Sequence, residues 1–164
     1  MAAISSRNEP KHIARLLAVQ YLFTQFQNEK LGDTNLFFEP NSLLNELDKT
    51  KYDTKLYENI IDGVNEHKEK IDEVIQQLAP AWPLDQINPV NLIILRASIW
   101  EAFIAGITPA KVVIDEAIEL DKALSTVESS SFINGVLANI FNNEKIKEEL
   151  SKLNTDRKDS NENE

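Results

Sequence analysis

Apolar residues recur at three- and four-residue steps along most of this chain, the spacing of an α-helix with a buried face. The first such segment starts near Pro10, after Asn8 or Glu9, and runs to about Gln27. Its apolar positions, Ile13, Leu16, Leu17, Val19, Tyr21, Leu22, Phe23 and Phe26, are too many for a narrow stripe, which predicts a helix central to a bundle. Residues 28–38 read as a loop containing Gly32, Asp33 and Asn35, and a short helix is expected from Pro40 to Leu47. Asp53 is a suitable cap for a long helix carrying Leu56, Ile60, Val64, Ile71, Val74, Ile75 and Leu78. The two prolines of Ala79-Pro80-Ala81-Trp82-Pro83 stop it, because proline has no N–H to continue the ladder.

Asn88-Pro89 caps the next helix, with Leu92, Ile93, Leu95, Ile99, Trp100 and Phe103 before Gly106. Thr108-Pro109 opens another, whose inner positions are Val112, Val113, Ala117, Ile118 and Leu120. Ser129 to Phe141 forms a further helix, and Glu144 to about Leu153 a marginal amphipathic one. Within the Ser129–Phe141 helix, Asn134-Gly135 is costly, by about 1 kcal/mol for the glycine. Close packing of a neighbouring helix, with Asn134 bonding back to it, is the expected reason. No segment alternates with the period of a strand, so the fold class is all-α. Residues 1–9 read as a flexible arm and 10–153 as one helical domain. Residues 154–164 hold no aliphatic side chain to offset an ordering cost of about 1–2 kcal/mol per residue, which predicts a disordered polar tail.

Composition narrows the function classes. The 164 residues, 42% hydrophobic and 27% charged, suit one ordinary globular domain and neither a disordered acidic chain nor a membrane protein. Cysteine is absent, which removes disulfides, thiolate metal sites and cysteine nucleophiles. The four glycines are scattered, whereas a phosphate-cradling loop needs them clustered. Ile4 to Arg15 lacks the uninterrupted apolar core of a secretory signal, and Leu92 to Ile107 is interrupted by Arg96 and Glu101 and too short to span a bilayer. These features predict a cytoplasmic protein with no membrane partner.

The formal charge of −10 is uneven. Residues 1–28 carry Arg7, Lys11 and Arg15 against Glu9 alone, so a weakly basic head precedes a strongly acidic body. Two faces with different partners would explain this, as would an ordinary solvated surface.

Enzyme chemistry finds little support. His12 and His67 are the only histidines, and Val64, not an acid, stands three residues before His67, so the Glu-x-x-His spacing of di-iron bundles is missing. Asp62, Glu66, Glu69 and Glu73 share part of one helical face, but Lys68 and Lys70 intersperse them and they read as a solvated flank. The sequence predicts no catalytic residue, metal or cofactor. What rises above background is the run Lys11-His12-Ile13-Ala14-Arg15, with Gln20, Tyr21 and Phe23 further along the same helix. Basic groups reach phosphates while aromatics and amides engage unstacked bases. A core helix with a basic end accounts for the same residues equally well.

Four ordered blocks then carry a resemblance. They are Ala14-Arg15-x-x-Ala18-Val19-Gln20-x-Leu22, Ile94-Leu95-Arg96-x-x-Ile99-Trp100-Glu101, Pro109-x-Lys111-Val112-x-Ile114-x-Glu116-Ala117-Ile118-Glu119-Leu120 and Phe132-Ile133-Asn134-Gly135-Val136-Leu137. Together with Trp82 before Leu84, they resemble the NusB family of bacterial transcription antitermination factors, from about Lys11 to Ile140. The resemblance implies a bundle of about seven helices arranged as two packed three-helix subdomains, without catalysis. It implies binding of boxA-type single-stranded RNA together with NusE, a ribosomal small-subunit protein. This would take place in an RNA polymerase antitermination complex that reads through terminators, notably in ribosomal RNA operons. Carried over by position, RNA-binding roles fall on Lys11, His12, Arg15, Gln20, Phe23 and Phe132, and partner-binding roles on Asn91, Glu101, Glu116 and Glu128.

The chain departs from the family pattern at several of these places. Glu9 and Ile13 dilute the N-terminal basic cluster, and Ser131 stands where a basic residue commonly precedes the Phe-x-Asn-Gly motif. Asn91-Leu92 replaces an acidic–Arg pair, and Leu124-Ser125 a Phe-Gly pair. A non-catalytic protein–protein adaptor with weakened RNA binding is therefore the alternative. Similar domains also precede RNA cytosine methyltransferases, but this sequence carries no methyltransferase motif. Helical periodicity does not separate a homodimer seam from a core.

Overall fold

A computed structural model describes residues 9–32, 35–46, 51–125 and 129–161, with side chains to residue 154. Every regular element among them is helical, in the order α1 (Glu9–Leu31), α2 (Pro40–Glu46), α3 (Thr54–Leu78), α4 (Pro89–Ile99), α5 (Ala110–Leu124), α6 (Ser130–Phe141) and α7 (Glu144–Asn161). A short 3-10 turn at Leu84–Gln86 precedes α4, and a π-helical turn at Trp100–Ile104 follows it.

The helix starts follow the capping chemistry of the sequence. Asp53 Oδ1 accepts the Leu56 N–H at 3.0 Å at the head of α3, and Asn88 Oδ1 accepts the Val90 N–H at 2.9 Å at the head of α4. Asn143 Oδ1 accepts the Ile146 N–H at 3.1 Å at the head of α7. Gly106 ends the π turn with φ +62°, a conformation that a side chain would strain.

The chain forms two compact units that meet in sequence at Asp62 and Gly63, inside α3. In the first, Ile13 and Leu17 of α1 and Leu44 of α2 make a core lined by Phe38, Leu43, Tyr52 and Tyr57. Tyr57 meets Tyr52 and Tyr21 edge-to-face at centroid distances of 5.6 and 6.4 Å. Burial first, then these neighbouring phenols, push the Tyr57 hydroxyl up to about 12.

The second unit holds most of α3 together with α4–α7. Every residue from Asn91 to Trp100 is buried, so α4 is its central element. It packs against α5 and α6, while α7 packs on α6 and on the π turn. Arg96 of α4 holds Asp72 of α3 with both ends of its guanidinium, Nε to Oδ1 at 2.8 Å and Nη2 to Oδ2 at 2.9 Å.

Three expectations are corrected. Gly135 does not admit a close neighbour: a Cβ built there meets nothing within 4 Å, and Asn134 is exposed beside it. The close approach occurs instead at Gly63, where a Cβ would overlap the Trp100 indole. Val112 lies on the exposed side of α5 at 45% exposure, while Val113, about 100° further round the same turn, takes the inward position at 2%. Finally, α7 continues through Asn161 where a disordered tail was expected from residue 154. Once Ile146 and Leu150 anchor the first turns, each added residue costs no new nucleus, and ion pairs such as Lys152–Glu148 at 3.4 Å assist. The arm from 1 to 8 and residues 162–164 lie outside the described residues.

Candidate nucleic-acid and partner interface

The sequence candidates divide between the two units. Lys11, His12, Arg15, Gln20 and Phe23 all lie on α1, and each has a different environment. Lys11 is exposed, Gln20 and Phe23 are half-buried, and His12 and Arg15 are only 8% and 7% exposed. Neither His12 nor Arg15 is without a partner inside the protein. The basic run is thus not a uniform exposed patch: residues 12–15 span most of the helix circumference and are all buried, so α1 is covered on several sides there and Lys11 alone of the run is exposed.

In the second unit the structure brings together two residues that the carry-over assigned to different ligands. Phe132, in the first turn of α6, and Asn91, in the first turn of α4, line one groove of about 380 Å³. Trp82, Gln86, Ile87 and Ser131 complete most of its wall. Trp82 is placed there by Gln76 of α3, whose side chain clasps the proline-bounded turn. Its Nε2 donates to the carbonyls of Ala79 at 3.2 Å and Trp82 at 3.0 Å, and its Oε1 accepts the Leu84 N–H at 3.1 Å. Trp82 remains 55% exposed. Asn91 is 5% exposed, and its Oδ1 is buried with no hydrogen-bond partner among the described residues.

Two of the remaining partner candidates are not on the surface. Glu101 in the π turn and Glu116 on α5 are 2% and 4% exposed, and each is engaged within the protein. Glu128 lies outside the described residues. Next to it, Ser129 does not cap α6; its Oγ–H donates to Asp121 Oδ2 at 2.6 Å. Asp121 is fully buried, and desolvation raises its carboxyl above the ordinary 3.8 against the lowering effect of the Ser129 bond.

Two features escaped sequence reasoning. The Asp72–Arg96 clamp joins residues 24 apart, and the Gln76 clasp uses an amide with no motif around it. Asp62, Glu66, Glu69 and Glu73 are exposed along α3, and no group of three or more acids or histidines among the described residues is placed to hold a metal. No helix among the described residues is long and apolar enough to cross a membrane.

Comparison with known proteins agrees with this architecture. Residues 12–142 match the NusB family. The transcription antitermination protein NusB of Clostridium perfringens is 37% identical over 136 residues, covering 83% of this chain and 98% of that protein. The protein of the same name from Kineococcus radiotolerans is 42% identical over 92 residues, which span 56% of this chain and 65% of that protein. Among solved structures, NusB of T. maritima superposes with a TM-score of 0.63 at 32% identity, covering 86% of this chain and 98% of that one. A chain in the crystal structure of a plectonemic RNA supercoil shares the fold, with a TM-score of 0.59 at 23% identity over 78% of this chain and 94% of that one. The match over residues 12–142 and the 37% identity along 98% of the Clostridium perfringens protein lead to one conclusion: this chain belongs to the NusB family of transcription antitermination proteins.

Proposed function

We propose that this chain acts in the cytoplasm as an antitermination factor that binds boxA-type single-stranded RNA together with a NusE-type ribosomal protein. In that assembly it supports read-through by RNA polymerase, notably in ribosomal RNA operons. The observation that carries the reading is the match to the Clostridium perfringens antitermination protein along 98% of its length. The groove bearing Phe132 and the exposed Lys11 supply surfaces suited to bases and phosphate.

One observation favours a second reading, an adaptor whose RNA contact has weakened. With His12 and Arg15 buried, Lys11 is the exposed member of the basic trio, on a chain of net charge −10. RNA affinity without the partner is therefore expected to be low and its salt dependence shallow, since each phosphate contact contributes about 0.7 to the logarithmic slope for a single strand. The test is fluorescence anisotropy of a labelled boxA-type RNA against a scrambled one, with and without the NusE-type protein, at two salt concentrations. Selective binding that tightens with partner supports antitermination. Partner binding with no RNA selectivity in any condition leaves the adaptor.

A further inference from the structure

The head of α6 is fastened to the end of α5 by one acid and one hydroxyl. Ser129 stands at the N-cap of α6, yet its side chain makes no cap bond, and its Oγ–H turns back to Oδ2 of Asp121 in the last turn of α5. Asp121 is 0% exposed, and its other oxygen, Oδ1, is buried without a hydrogen-bond partner. An ionised carboxylate with a bare buried oxygen is costly. The neutral acid avoids that cost: it carries its proton on Oδ2, donates to Ser129 Oγ and leaves Oδ1 uncharged. The negative end of the α5 dipole lies at the same place and also disfavours the ionised form.

The charges around Asp121 are few and occupied elsewhere. The elements packed chiefly against α5 are α4, α6 and the π turn. Helix α6 holds no titratable side chain, α4 holds only Arg96, bound to Asp72, and the π turn holds only Glu101, buried and engaged within the protein. On α5 itself Lys111, Asp115 and Lys122 are exposed, Glu116 is buried and engaged, and Glu119 lies about 200° round the helix from Asp121. Burial is the larger influence on the Asp121 carboxyl and raises it; the Ser129 bond opposes. The residues so fastened are the least anchored of α6. None of residues 129–132 is buried, and the apolar contacts begin at Ile133, which is 0% exposed.

We propose that Asp121 and Ser129 form a proton-operated latch on the first turn of α6. With the carboxyl neutral the turn is held against α5. On ionisation the proton leaves to solvent, water reaches Oδ1, and residues 129–132 open while the rest of the helix stays in place. This holds whatever α6 binds. The closed form keeps its proton more tightly than the open form, whose carboxyl titrates at the ordinary 3.8. Opening is therefore suppressed below 3.8, grows by up to about tenfold per pH unit as pH climbs from there, and levels above the raised closed value.

Hydrogen exchange of the full chain, followed by NMR from pH 4 to 8 and corrected for the intrinsic rate, tests the latch. The reporters are the amides of Asn134 and Gly135, whose helical acceptors are the carbonyls of Ser130 and Ser131. Their protection is expected to fall as pH rises and then level. At every pH it should be lower than that of the buried α4 amides and change little in about 1 M urea, because opening one turn exposes little surface. Asp121→Asn, neutral throughout, abolishes the pH dependence and keeps the turn closed. Ser129→Ala removes the bond that favours the ionised form, so its loss of protection extends to higher pH; a mere loss of contact would lower protection equally at all pH. Glu128→Gln, the neighbouring acid in the sequence, leaves the profile unchanged. Three results overturn the latch. One is protection at Asn134 and Gly135 that does not vary with pH. Another is a dependence that persists in Asp121→Asn or vanishes in Glu128→Gln. The third is the same protection and urea response as α4, which means that the charge is released only by global unfolding.

Discussion

Replacing a helical glycine by alanine gives opposite outcomes at two positions of this chain, and the structure fixes the sign of each. Glycine inside a helix costs about 0.8–1.0 kcal/mol relative to alanine, so in open space the substitution is a gain. At Gly135, on the exposed side of α6, a Cβ meets nothing within 4 Å, and Gly135→Ala is expected to stabilise by about 0.5–1 kcal/mol. At Gly63 the same Cβ overlaps the Trp100 indole, a rigid ring that is 6% exposed and has no flexible end to swing away. Overpacking of a core costs about 1–3 kcal/mol, and a ring forced aside approaches the ~3–5 kcal/mol of losing a tryptophan outright. Subtracting the propensity gain, Gly63→Ala is expected to destabilise by about 1–3 kcal/mol. At roughly 2–4 °C per kcal/mol for a chain of this size, the two variants move Tm in opposite directions, by about +1 to +4 °C and about −2 to −12 °C. Thermal unfolding followed by far-UV circular dichroism measures both, and Trp100 emission in the Gly63 variant reports the displaced ring. A Gly63→Ala protein as stable as the parent, with unchanged Trp100 emission, would refute the packing argument.

Other substitutions test other parts of the molecule. Asp72→Ala strands the buried Arg96 guanidinium, and because Asp72 is itself 18% exposed the loss should lie toward the low end of the ~3–5 kcal/mol for a broken buried pair; urea unfolding that shows a loss below about 1 kcal/mol would assign Arg96 another partner. Asp121→Asn tests the raised carboxyl. The folded state favours the neutral acid, so the parent's relative stability is full below 3.8 and is lost as pH climbs from there through the raised folded value. The advantage of the Asn variant should therefore grow with pH across that window and then level off; a pH-independent difference in unfolding free energy would contradict the desolvation. On α1, Lys11→Glu should reduce RNA affinity and lower the salt slope by about 0.7 while leaving Tm near the parent value. Arg15→Glu should instead lower Tm, since it puts an acid at a buried, engaged position, and anisotropy with melting curves on both proteins separates these outcomes.

Local chemistry was legible in the sequence, and partnership across distance was not. Asp53, Asn88 and Pro89 mark helix starts because capping depends on neighbours two or three residues away, and the structure places α3 and α4 accordingly. The same locality explains the misses. A glycine in a helix signals either close approach or tolerance, and nothing adjacent to Gly63 or Gly135 reveals which of them faces a tryptophan. Arg96 reads as part of a motif, yet its role as a clamp depends on Asp72 one helix earlier. On α1, helical spacing groups Lys11 with Arg15 on one side, but it does not tell an exposed cation from one engaged in the interior. Asn91 and Phe132 lie 41 positions apart, and only the packing of α4 on α6 makes them neighbours of one groove.

The seam between the two units falls within α3, at Asp62 and Gly63, with no linker between them. A protease needs an extended stretch of backbone, and here it must first unwind a helix 25 residues long. Glycine is the natural weak point of such a helix, but Trp100 lies against this one and shields it. Cleavage between the two units therefore has to open this helix first, and limited proteolysis is expected to cut there more slowly than in extended backbone.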